Sequence, residues 1–403
     1  MDESPTHSRR DIALLLVARA LRGFGDGFAA IILPAYLSAI GLGATEIGIV
    51  ASASLLGTAL FTLGIGFVAP RHDLRNLLLA GAALMALTGL AFPLTQVFAA
   101  IAVVAFIGTI NPSTGDLGVL IPLEHAMLAH SVPDEERTRT FARYSLIGAL
   151  AMAAGSLAAA APDVLVRGGF APLDAFKAMF GAYAVLGVFC LLLYRRLPHA
   201  RMEERRPAAP LGPSRGVVYK LAALFSLDAF AGGFVVQSLL ALWLFERFDL
   251  SLSAASLFFF WSSTLSAFSY PVAAWLAKRI GLINTMVFTH IPSSLFLILA
   301  AFSFDLYVTL TLLLLRSALS QMDVPTRTSY VMAVVTPAER TAAASVTAVP
   351  RSLASSISPA MAGALLTTSF SGLPLVLCGA LKIVYDLALL WTFRNVKPPE
   401  ERR

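Results

Sequence analysis

Arg22-Gly-Phe-Gly-Asp-Gly-Phe-Ala-Ala-Ile-Ile-Leu-Pro-Ala-Tyr-Leu37 is the stretch that decides the fold of this chain. It lies in an apolar run from about residue 12 to residue 40. A helix needs about 20 such residues to cross the hydrocarbon core of a bilayer. Arg19, Arg22 and Asp26 are spaced i, i+3 and i+7 and therefore share one helix face. Because a charge at the bilayer centre costs about 2.5–3.5 kcal/mol, this face should contact protein or a water-filled cavity.

Glycines surround the acidic residue of this stretch. Gly23, Gly25 and Gly27 remove side chains around Asp26, so a neighbouring helix or a ligand can approach the backbone closely. Two interpretations are open at this point. Arg22 and Asp26 could neutralise each other inside a packed bundle, or their face could line a cavity through which a solute passes.

The composition excludes a soluble protein. Of 403 residues, 57% are hydrophobic and 13% are charged, whereas about 25% charged residues are usual in soluble domains. The net charge of +6 does not indicate nucleic-acid binding, because the basic residues gather in short loops between apolar runs. Two cysteines in apolar runs and six scattered histidines predict no disulfide framework, no metal site and no cofactor. Arg19 and Arg22 interrupt the first apolar run, which therefore predicts a membrane span and not a cleavable signal.

The pattern of apolar runs predicts an all-α membrane protein with twelve transmembrane helices. Short breaks that carry Pro, Gly or charge separate the runs. The fourth and tenth runs exceed the ~20 residues that a bilayer requires, so we expect these helices to protrude from it. The predicted spans are 12–38, 44–69, 76–96, 97–129, 138–161, 173–194, 217–245, 252–277, 282–302, 305–334, 341–367 and 373–393.

The distribution of Lys and Arg predicts the orientation. Twenty of these residues fall in the terminal segments and loops on one side of the predicted membrane. The opposite loops carry only three, Arg167, Lys177 and Arg247. Because basic short loops stay in the cytoplasm, we predict a multi-pass protein of the cytoplasmic (inner) membrane with both termini cytoplasmic.

A hydrophilic segment divides the chain into two similar parts. Residues 195–216 contain several prolines and mixed charges, which are typical of an extended linker. The linker separates an N-terminal half of six spans (1–194) from a C-terminal half of six spans (217–403). The halves repeat weakly, and Pro122 in span 4 corresponds to Pro325 in span 10. The repeat predicts a pseudo-two-fold axis along the membrane normal and a site between the halves near the midplane.

With these features the chain resembles the major facilitator superfamily over nearly its whole length. The loop between helices 2 and 3 of that family usually reads Gly-x-x-x-Asp-Arg-x-Gly-x-Arg. Here the corresponding loop keeps Gly66, Arg71 and Arg75, but Pro70 stands at the Asp position and Asp73 at the Gly position. The missing acid puts in question the ionic latch between the halves that the family's Asp provides.

Other segments carry the same resemblance. The equivalent loop of the second half keeps Arg279 but has Lys278 at the Asp position. The loop after span 4, residues 133–137, matches a Pro-x-Glu-Glu-Arg pattern of the family. Span 1, with Gly25-Asp26 and Pro34, is similar to the first helix of drug:proton antiporters. The resemblance implies that spans 1, 4, 7 and 10 line a central cavity.

Those four spans also hold most of the intramembrane charge. In span 10, Arg316, Asp323 and Arg327 lie at i, i+7 and i+11 and share one helix face. The predicted proton sites are Asp26, Asp116, Asp228 and Asp323. The predicted substrate-binding groups or charge partners are Arg19, Arg22, Gln237, Arg316, Arg327 and Arg351.

A second set of charges lies nearer the cytoplasmic mouth. Glu124 is expected to pair with a loop arginine such as Arg71 or Arg137. Lys382 and Asp386, four residues apart in span 12, are expected to form a self-neutralising structural pair. The predicted gating residues are Arg71, Asp73, Arg75, Glu124, Arg137, Arg279 and Arg340.

The functional prediction is a secondary transporter. The chain has no Gly-Lys-Ser/Thr loop for ATP and no constellation typical of an enzyme. Carboxylates in a low dielectric, biased by nearby arginines, can change between charged and neutral as a site opens to each side. We therefore predict alternating access by rocking of the two halves, coupled to protons, with Asp26 as the leading proton site. Efflux of a small amphiphilic organic compound is favoured, and we expect a monomer in the lipid bilayer.

Three alternatives stay open on the sequence. An energy-independent facilitator would have the same fold without proton dependence. An importer of organic anions would use the arginines directly. A non-transporting membrane sensor is the alternative from another class, and the helix-breaking Gly and Pro residues beside buried charge disfavour it.

Overall fold

The computed structural model describes residues 5–113, 118–132, 134–201, 211–394 and 396. Its regular elements within these residues are helices, joined by short connections. The α-helices are α1 Pro5–Ala39, α2 Ala44–Val68, α3 Leu74–Ala91, α4 Phe98–Ile107, α5 Leu120–Ser131, α6 Asp134–Ala158, α7 Ala161–Arg167, α8 Pro172–Tyr194, α9 Arg215–Gly233, α10 Gln237–Phe248, α11 Leu252–Ile280, α12 Leu282–Phe302, α13 Leu306–Ser320, α14 Asp323–Val334, α15 Arg340–Leu366 and α16 Leu373–Phe393.

The helices follow the predicted spans in order. Among the described residues, eight helical segments are long and apolar enough to cross a membrane, and they coincide with predicted spans 2, 3, 5, 6, 7, 8, 9 and 12. The other four predicted spans correspond to α1, to the pairs α4–α5 and α13–α14, and to α15. Charges lower the hydropathy of α1, and serines together with Arg351 lower that of α15. The fold class predicted from the sequence is confirmed.

Three predicted spans are broken and are not the continuous helices that the spacing predicts. Span 4 divides into α4 and α5, span 7 into α9 and α10, and span 10 into α13 and α14. Pro112 lies in the first break, and Gly232 and Gly233 end α9 before the second. Pro325 lies in the first turn of α14, where a missing N–H is tolerated. These breaks expose backbone groups within the bundle, where protein or a cavity can satisfy them.

The two halves meet backbone to backbone where α2 crosses α15. A Cβ atom added to Gly48 would lie 2.5 Å from the carbonyl oxygen of Pro359, so only glycine fits there. Gly363 faces Gly48 in the same crossing. One turn further along α2, Ser52 Oγ accepts a hydrogen bond of 2.8 Å from the backbone N–H of Ala360. Small residues at such crossings allow close helix packing within a membrane.

Two polar contacts join the halves near the same end of the bundle. Asp163 Oδ2, on α7, accepts hydrogen bonds from the backbone N–H and the hydroxyl of Ser253 at the start of α11, at 3.0 Å and 2.5 Å. The backbone N–H of Ser238 donates to the carbonyl oxygen of Pro112 at 3.0 Å. The halves are therefore closed against each other at the end that lies away from the linker.

The start of the linker is fastened to the loop between α2 and α3. Asp73 caps α3 by accepting a hydrogen bond from the N–H of Asn76. The ring of His199 contacts Asp73 Oδ2 through Nδ1 and Arg75 Nη1 through Nε2, each at 3.0 Å. Arg75 also donates to the carbonyl oxygen of Arg195 at 2.7 Å. Asp73 and Arg75, predicted as gating residues, thus hold the linker.

The end of the linker is fastened to the loop between α14 and α15. Glu339 accepts hydrogen bonds from Thr336 Oγ1 at 2.6 Å, Ser214 Oγ at 2.7 Å and the N–H of Gly212 at 2.5 Å. These donors favour the ionised carboxylate, so Thr336 first and Ser214 second lower the pKa of Glu339 to about 2. Both ends of the linker are held at one end of the bundle, and the boundaries of the two halves stay a prediction.

Candidate solute cavity

A cavity of about 250 Å³ lies between the halves. Its lining includes Leu55 on α2 and Ser355 on α15. Leu55 follows Ser52 along α2, and Ser355 precedes Ala360 along α15, so the cavity lies on the linker side of the crossing between these helices. Most of the described wall comes from the C-terminal half, through α9, α10, α11, α13, α14, α15 and α16.

Hydroxyl and amide groups are abundant in the wall. Phe259 and Tyr270 are the aromatic side chains among the described lining residues. The wall therefore offers many hydrogen-bond partners and little flat apolar surface. Its serines and glutamines are Ser113, Ser145, Ser262, Ser263, Ser266, Ser317, Ser320, Ser352, Ser355, Gln237 and Gln321.

Both acidic and basic side chains line the described part of the cavity. Two acidic side chains, Asp228 and Asp323, line the described part of the cavity. Five basic side chains line the same part, so the described wall carries three more positive charges than negative ones. The basic residues are Arg19, Arg316, Arg327, Arg351 and Lys382.

Asp228 is the centre of an ion-pair network in the cavity wall. Its Oδ1 accepts a hydrogen bond from Lys382 Nζ at 2.6 Å, and its Oδ2 accepts one from Arg327 Nη1 at 3.2 Å. Arg327 Nη1 also donates to Asp323 Oδ2 at 2.9 Å. All these side chains are buried or nearly so. Arg327 and Lys382 are thus the ion-pair partners of the two acidic side chains.

Arg316 and Arg351 carry the remaining charge of the C-terminal half. Among the described residues, no carboxylate lies within 4 Å of either guanidinium, and Arg351 Nε is buried without a hydrogen-bond partner. Both side chains line the cavity. A buried charge without a partner is unfavourable, so an anionic group in the cavity would stabilise both arginines.

Arg22 and Glu124 form a buried pair that the sequence did not predict. Arg22 Nη2 donates to Glu124 Oε2 and, at 3.2 Å, to the hydroxyl of Tyr144. Tyr144 and Tyr194 also donate to the carboxylate of Glu124, the latter at 2.5 Å. Arg22 therefore pairs with Glu124 and not with Asp26, the alternative that the sequence left open, and the expected pairing of Glu124 with a loop arginine is wrong. The reason is that α5 turns Glu124 towards α1, where it is fully buried.

Arg19 joins the cavity to this pair. Its guanidinium lies over the ring of Tyr144, with Cζ 5.2 Å from the ring centroid, and Arg19 lines the cavity wall. It passes directly against Gly148 of α6, where a side chain would collide with it. The sequence placed Arg19 and Arg22 on one face but missed Tyr144 and Tyr194. The sequence carries no spacing signal for them, because they lie 20 and 70 residues from Glu124.

The other predicted polar residues lie apart from one another. Asp26 is outside the described lining and accepts a hydrogen bond of 3.3 Å from the hydroxyl of Tyr183 on α8. Gln237 lines the cavity, and its buried amide makes no hydrogen bond within the described part of the chain. Asp116, predicted as a proton site, lies outside the described residues.

The predicted gating arginines lie at the linker end. Arg137 Nη2 donates to the carbonyl oxygen of Ala129, and Arg340 Nε donates to that of Met332, each at 3.2 Å and eight residues back. The arginine after α5 and the arginine after α14 therefore make the same type of contact in the two halves. The remaining pair, Arg71 and Arg279, is exposed, and the guanidinium of Arg279 lies over the ring of Trp275 at 4.2 Å.

A buried histidine changes the partners expected in span 12. Lys382 and Asp386 were expected to pair with each other. Instead, Lys382 Nζ bonds to Asp228 and contacts Nε2 of His290, while Asp386 Oδ1 contacts Nδ1 of the same ring at 3.0 Å. The expectation of a self-neutralising pair is wrong, because α12 inserts His290 between the two side chains. His290 was overlooked since a single histidine in an apolar run carries no spacing signal.

Comparison with known proteins agrees with this architecture. The Major Facilitator Superfamily model matches twice, over residues 15–236 and 221–403. An uncharacterized membrane protein of Saccharomyces cerevisiae, YJR124C, is 26% identical, with 96% of this chain and 95% of the yeast protein covered. The nucleoside transporter NupG superposes with a TM-score of 0.75 at 14% identity, covering 95% of this chain and 99% of NupG. The xylose transporter XylE from E. coli, inward open, gives 0.74 at 14% identity, covering 97% and 98%.

The chain belongs to the major facilitator superfamily. It is a multi-pass membrane protein and a secondary transporter of small solutes, not an enzyme. The solved structures, all distant in sequence, show the fold alone. What the cavity accepts has to be argued from its own residues.

Proposed function

We propose that this protein transports a small hydrophilic organic anion and couples its movement to protons. The observation that carries the proposal is the presence of two arginines, Arg316 and Arg351, in the described cavity wall. Both arginines face the cavity and have no carboxylate within 4 Å among the described residues. A planar guanidinium presents several N–H donors that match a carboxylate or a phosphate.

The neighbours of these arginines favour a polar solute. Ser317 and Ser320 follow Arg316 on α13, and Ser352 and Ser355 follow Arg351 on α15. A solute with several hydroxyl groups beside its anionic group could satisfy both sets of donors. This proposal departs from the amphiphilic compound favoured by the sequence, because the described wall has few aromatic side chains.

Coupling to protons follows from the energetics of anion uptake. Moving one negative charge into a cell against the membrane potential costs about 2.3 kcal/mol per 100 mV. A proton that moves with the anion offsets this cost and adds the energy of the pH gradient. Of the predicted proton sites, Asp228 and Asp323 lie in the cavity wall within ion pairs, and Asp26 of α1 contacts Tyr183 of α8. Asp26 stays a candidate proton site because of its position within the membrane-spanning part of α1.

The proposed location is the cytoplasmic membrane with both termini in the cytoplasm. The linker and its two loops then lie on the cytoplasmic side, and the contacts of Gly48 and Asp163 with the second half lie on the outer side. In this arrangement the cavity lies on the cytoplasmic side of the closed contact. The proposed protein is a monomer within the lipid bilayer.

Ligand-dependent thermal unfolding of the purified protein in lipid nanodiscs tests the anion proposal. The probes are gluconate and glucose 6-phosphate as hydrophilic anions, glucose as a neutral analogue, and tetraphenylphosphonium as an amphiphilic cation. A ligand at about 100 times its Kd stabilises the folded state by about 2.7 kcal/mol. We expect at least one of the two anions to raise the unfolding temperature, and glucose and tetraphenylphosphonium to leave it unchanged.

Two arginine variants separate the cavity from general surface charge. Arg316→Gln and Arg351→Gln should weaken anion binding about 10- to 100-fold, as expected for loss of a hydrogen bond to a charged group. Arg279→Gln is the matched control, since Arg279 lies at the linker end, outside the described lining. Stabilisation by tetraphenylphosphonium but by neither anion would overturn the proposal in favour of amphiphilic efflux.

A further inference from the structure

The side chains of Lys382, His290 and Asp386 form a connected set that extends from the cavity wall into the protein. His290, on α12, contacts Asp386 Oδ1 through Nδ1 at 3.0 Å and Lys382 Nζ through Nε2 at 3.2 Å. The exposed fractions of the His290 and Asp386 side chains are 2% and 0%. Lys382 and Asp228 line the cavity, whereas His290 and Asp386 lie outside its described lining. Lys382 is therefore the link between the cavity and a titratable pair that the solute does not reach.

The hydrogen bonds define the charge state of this pair. An ammonium group has donors only, so Lys382 donates to Nε2 of His290, which must then lack a proton. Nδ1 carries the ring hydrogen and donates to Asp386 Oδ1, and the imidazole is neutral. Asp386 Oδ2 is buried and has no hydrogen-bond partner in the described residues. The pair has room for one more proton, on the ring or on the carboxylate.

The charged groups that face the pair come from several helices. Asp228 of α9 lies 3.9 Å from His290 Nε2. The ring of Tyr385, on α16, packs edge to face against His290 with centroids 6.1 Å apart. Beyond Asp228 lie Arg327 and Asp323 of α14 and Arg351 of α15, and on α13 the backbone oxygen of Arg316 accepts from Ser293 of α12.

We propose that the His290–Asp386 pair binds the proton that is transported with the anion, and that Lys382 couples the two events. A proton on Nε2 would make the ring a cation and take away the lone pair that Lys382 now uses. Two cations at 3.2 Å repel each other, so protonation of the pair and the present position of Lys382 exclude each other. The proposal rests on the anionic substrate proposed above.

The exchange gives coupling in a defined direction. An anion near Lys382 competes with Asp228 and His290 for the ammonium group and draws it towards the cavity. The vacated Nε2 then takes up one proton from water, and the imidazolium faces the negative charge of Asp386. One anion and one proton are bound together, which is symport. When the anion leaves, Lys382 returns and the proton is expelled.

Proton uptake on anion binding tests this mechanism directly. Purified protein in nanodiscs, in weakly buffered solution with a pH-sensitive dye, is mixed with gluconate or glucose 6-phosphate, whichever binds in the unfolding assay. The wild-type protein should take up about one proton per bound anion. Its anion affinity should fall about tenfold per unit rise in pH over the range in which binding takes up one proton, as linkage of one proton requires.

Two conservative variants and two controls separate a proton site from a structural role. His290→Gln and Asp386→Asn should bind the anion but take up no proton, and their affinity should no longer depend on pH. Asp386→Asn is nearly isosteric and keeps the test valid if the histidine variant does not fold. His72→Gln, at an exposed loop position, and Glu136→Gln, at an exposed site of α6, are the controls and should behave as wild type. Asp26→Asn tests the other candidate proton site.

Each outcome decides a different question. Loss of proton uptake in Asp26→Asn, with uptake retained in the two pair variants, would overturn the proposal and assign the proton to Asp26. Anion binding without proton uptake, or with proton release, by the wild-type protein would overturn it while leaving anion transport intact. Binding of neither anion would overturn the proposed function and this inference with it.

Discussion

At the residue scale, several buried charges of this protein are paired with residues from distant parts of the chain. Arg22 meets Glu124, which is 102 residues away in sequence, although Asp26 lies four residues from it. The hydroxyls of Tyr144 and Tyr194 complete the site by donating to the carboxylate. The carboxylate of Glu124 thus has three donors, one of which is the Arg22 guanidinium. The Arg22 charge in turn depends on Glu124 as its counter-charge.

Replacing one member of the Arg22–Glu124 pair should lower the stability of the protein more than replacing both. Glu124→Gln leaves the Arg22 guanidinium buried without a counter-charge, which costs about 3–5 kcal/mol in comparable buried pairs. The double variant with Arg22→Gln should recover much of the loss. Thermal unfolding of the detergent-purified proteins measures both effects, with Glu136→Gln at an exposed site of α6 as control. A Glu124→Gln protein as stable as the control would contradict the structural role of the pair.

At the element scale, helix packing and helix breaks place the site. Helices α1 and α6 cross so closely that a Cβ added to Gly23 would lie 2.7 Å from the carbonyl oxygen of Gly148. That approach keeps Arg19 beside Tyr144 at the cavity wall. The loop between α14 and α15, through Glu339, in turn contacts the end of the linker.

Glu339 should make the linker contact sensitive to acid. Its pKa in the folded protein is about 2, below the usual value near 4.5 of a glutamate. The hydrogen-bonded carboxylate therefore adds stability at pH values above about 4.5, and this contribution is lost as the pH falls from about 4.5 to about 2. We expect Glu339→Gln to increase proteolysis of the linker at pH 7. Below pH 4.5 the difference in linker cleavage between the variant and the wild type should shrink. Digestion with pepsin, which is stable in acid, measures cleavage in that range.

Exposed Glu136→Gln serves as the control for this experiment as well. Equal linker cleavage in Glu339→Gln and wild type at pH 7 would show that the contacts to Gly212 and Ser214 do not restrain the linker. A difference that persists unchanged at pH 3 would show that the carboxylate does not act through its ionised form.

At the scale of the whole molecule, the halves are closed at one end, and the linker is held at the other. Helix α2 crosses α15 with glycine facing glycine, and Asp163 caps the start of α11 across the same end. Opening this end requires both contacts to separate. The orientation of the chain in the membrane decides which side this closed end faces.

Cysteine labelling of intact bacterial cells should establish that orientation. The native Cys190 and Cys378 are buried and should not react. Phe170→Cys, at a loop position that is 52% exposed, should react with a membrane-impermeant maleimide from outside. Arg196→Cys, exposed at the start of the linker, should react only after permeabilisation. The opposite pattern would reverse the predicted topology.

The order and type of the helices followed from the sequence alone. The length of an apolar run and the Pro, Gly and charge that interrupt it act over neighbouring residues, so they are readable without knowledge of the fold. The spacing of Arg19 and Arg22 likewise showed that one face of α1 must avoid lipid. The breaks in spans 4, 7 and 10 were only partly predictable, because a Pro or Gly can bend a helix or end it.

The partners of the buried charges were decided by the tertiary structure. Spacing along one helix left a pairing of Arg22 with Asp26 open and predicted one of Lys382 with Asp386. In the folded protein, Arg22 instead pairs with Glu124. His290 of α12 comes between the two residues of α16, so that Lys382 turns to Asp228. The physical reason is that a buried charge takes the partner that leaves the fewest unsatisfied groups, and helix packing brings that partner from far along the chain.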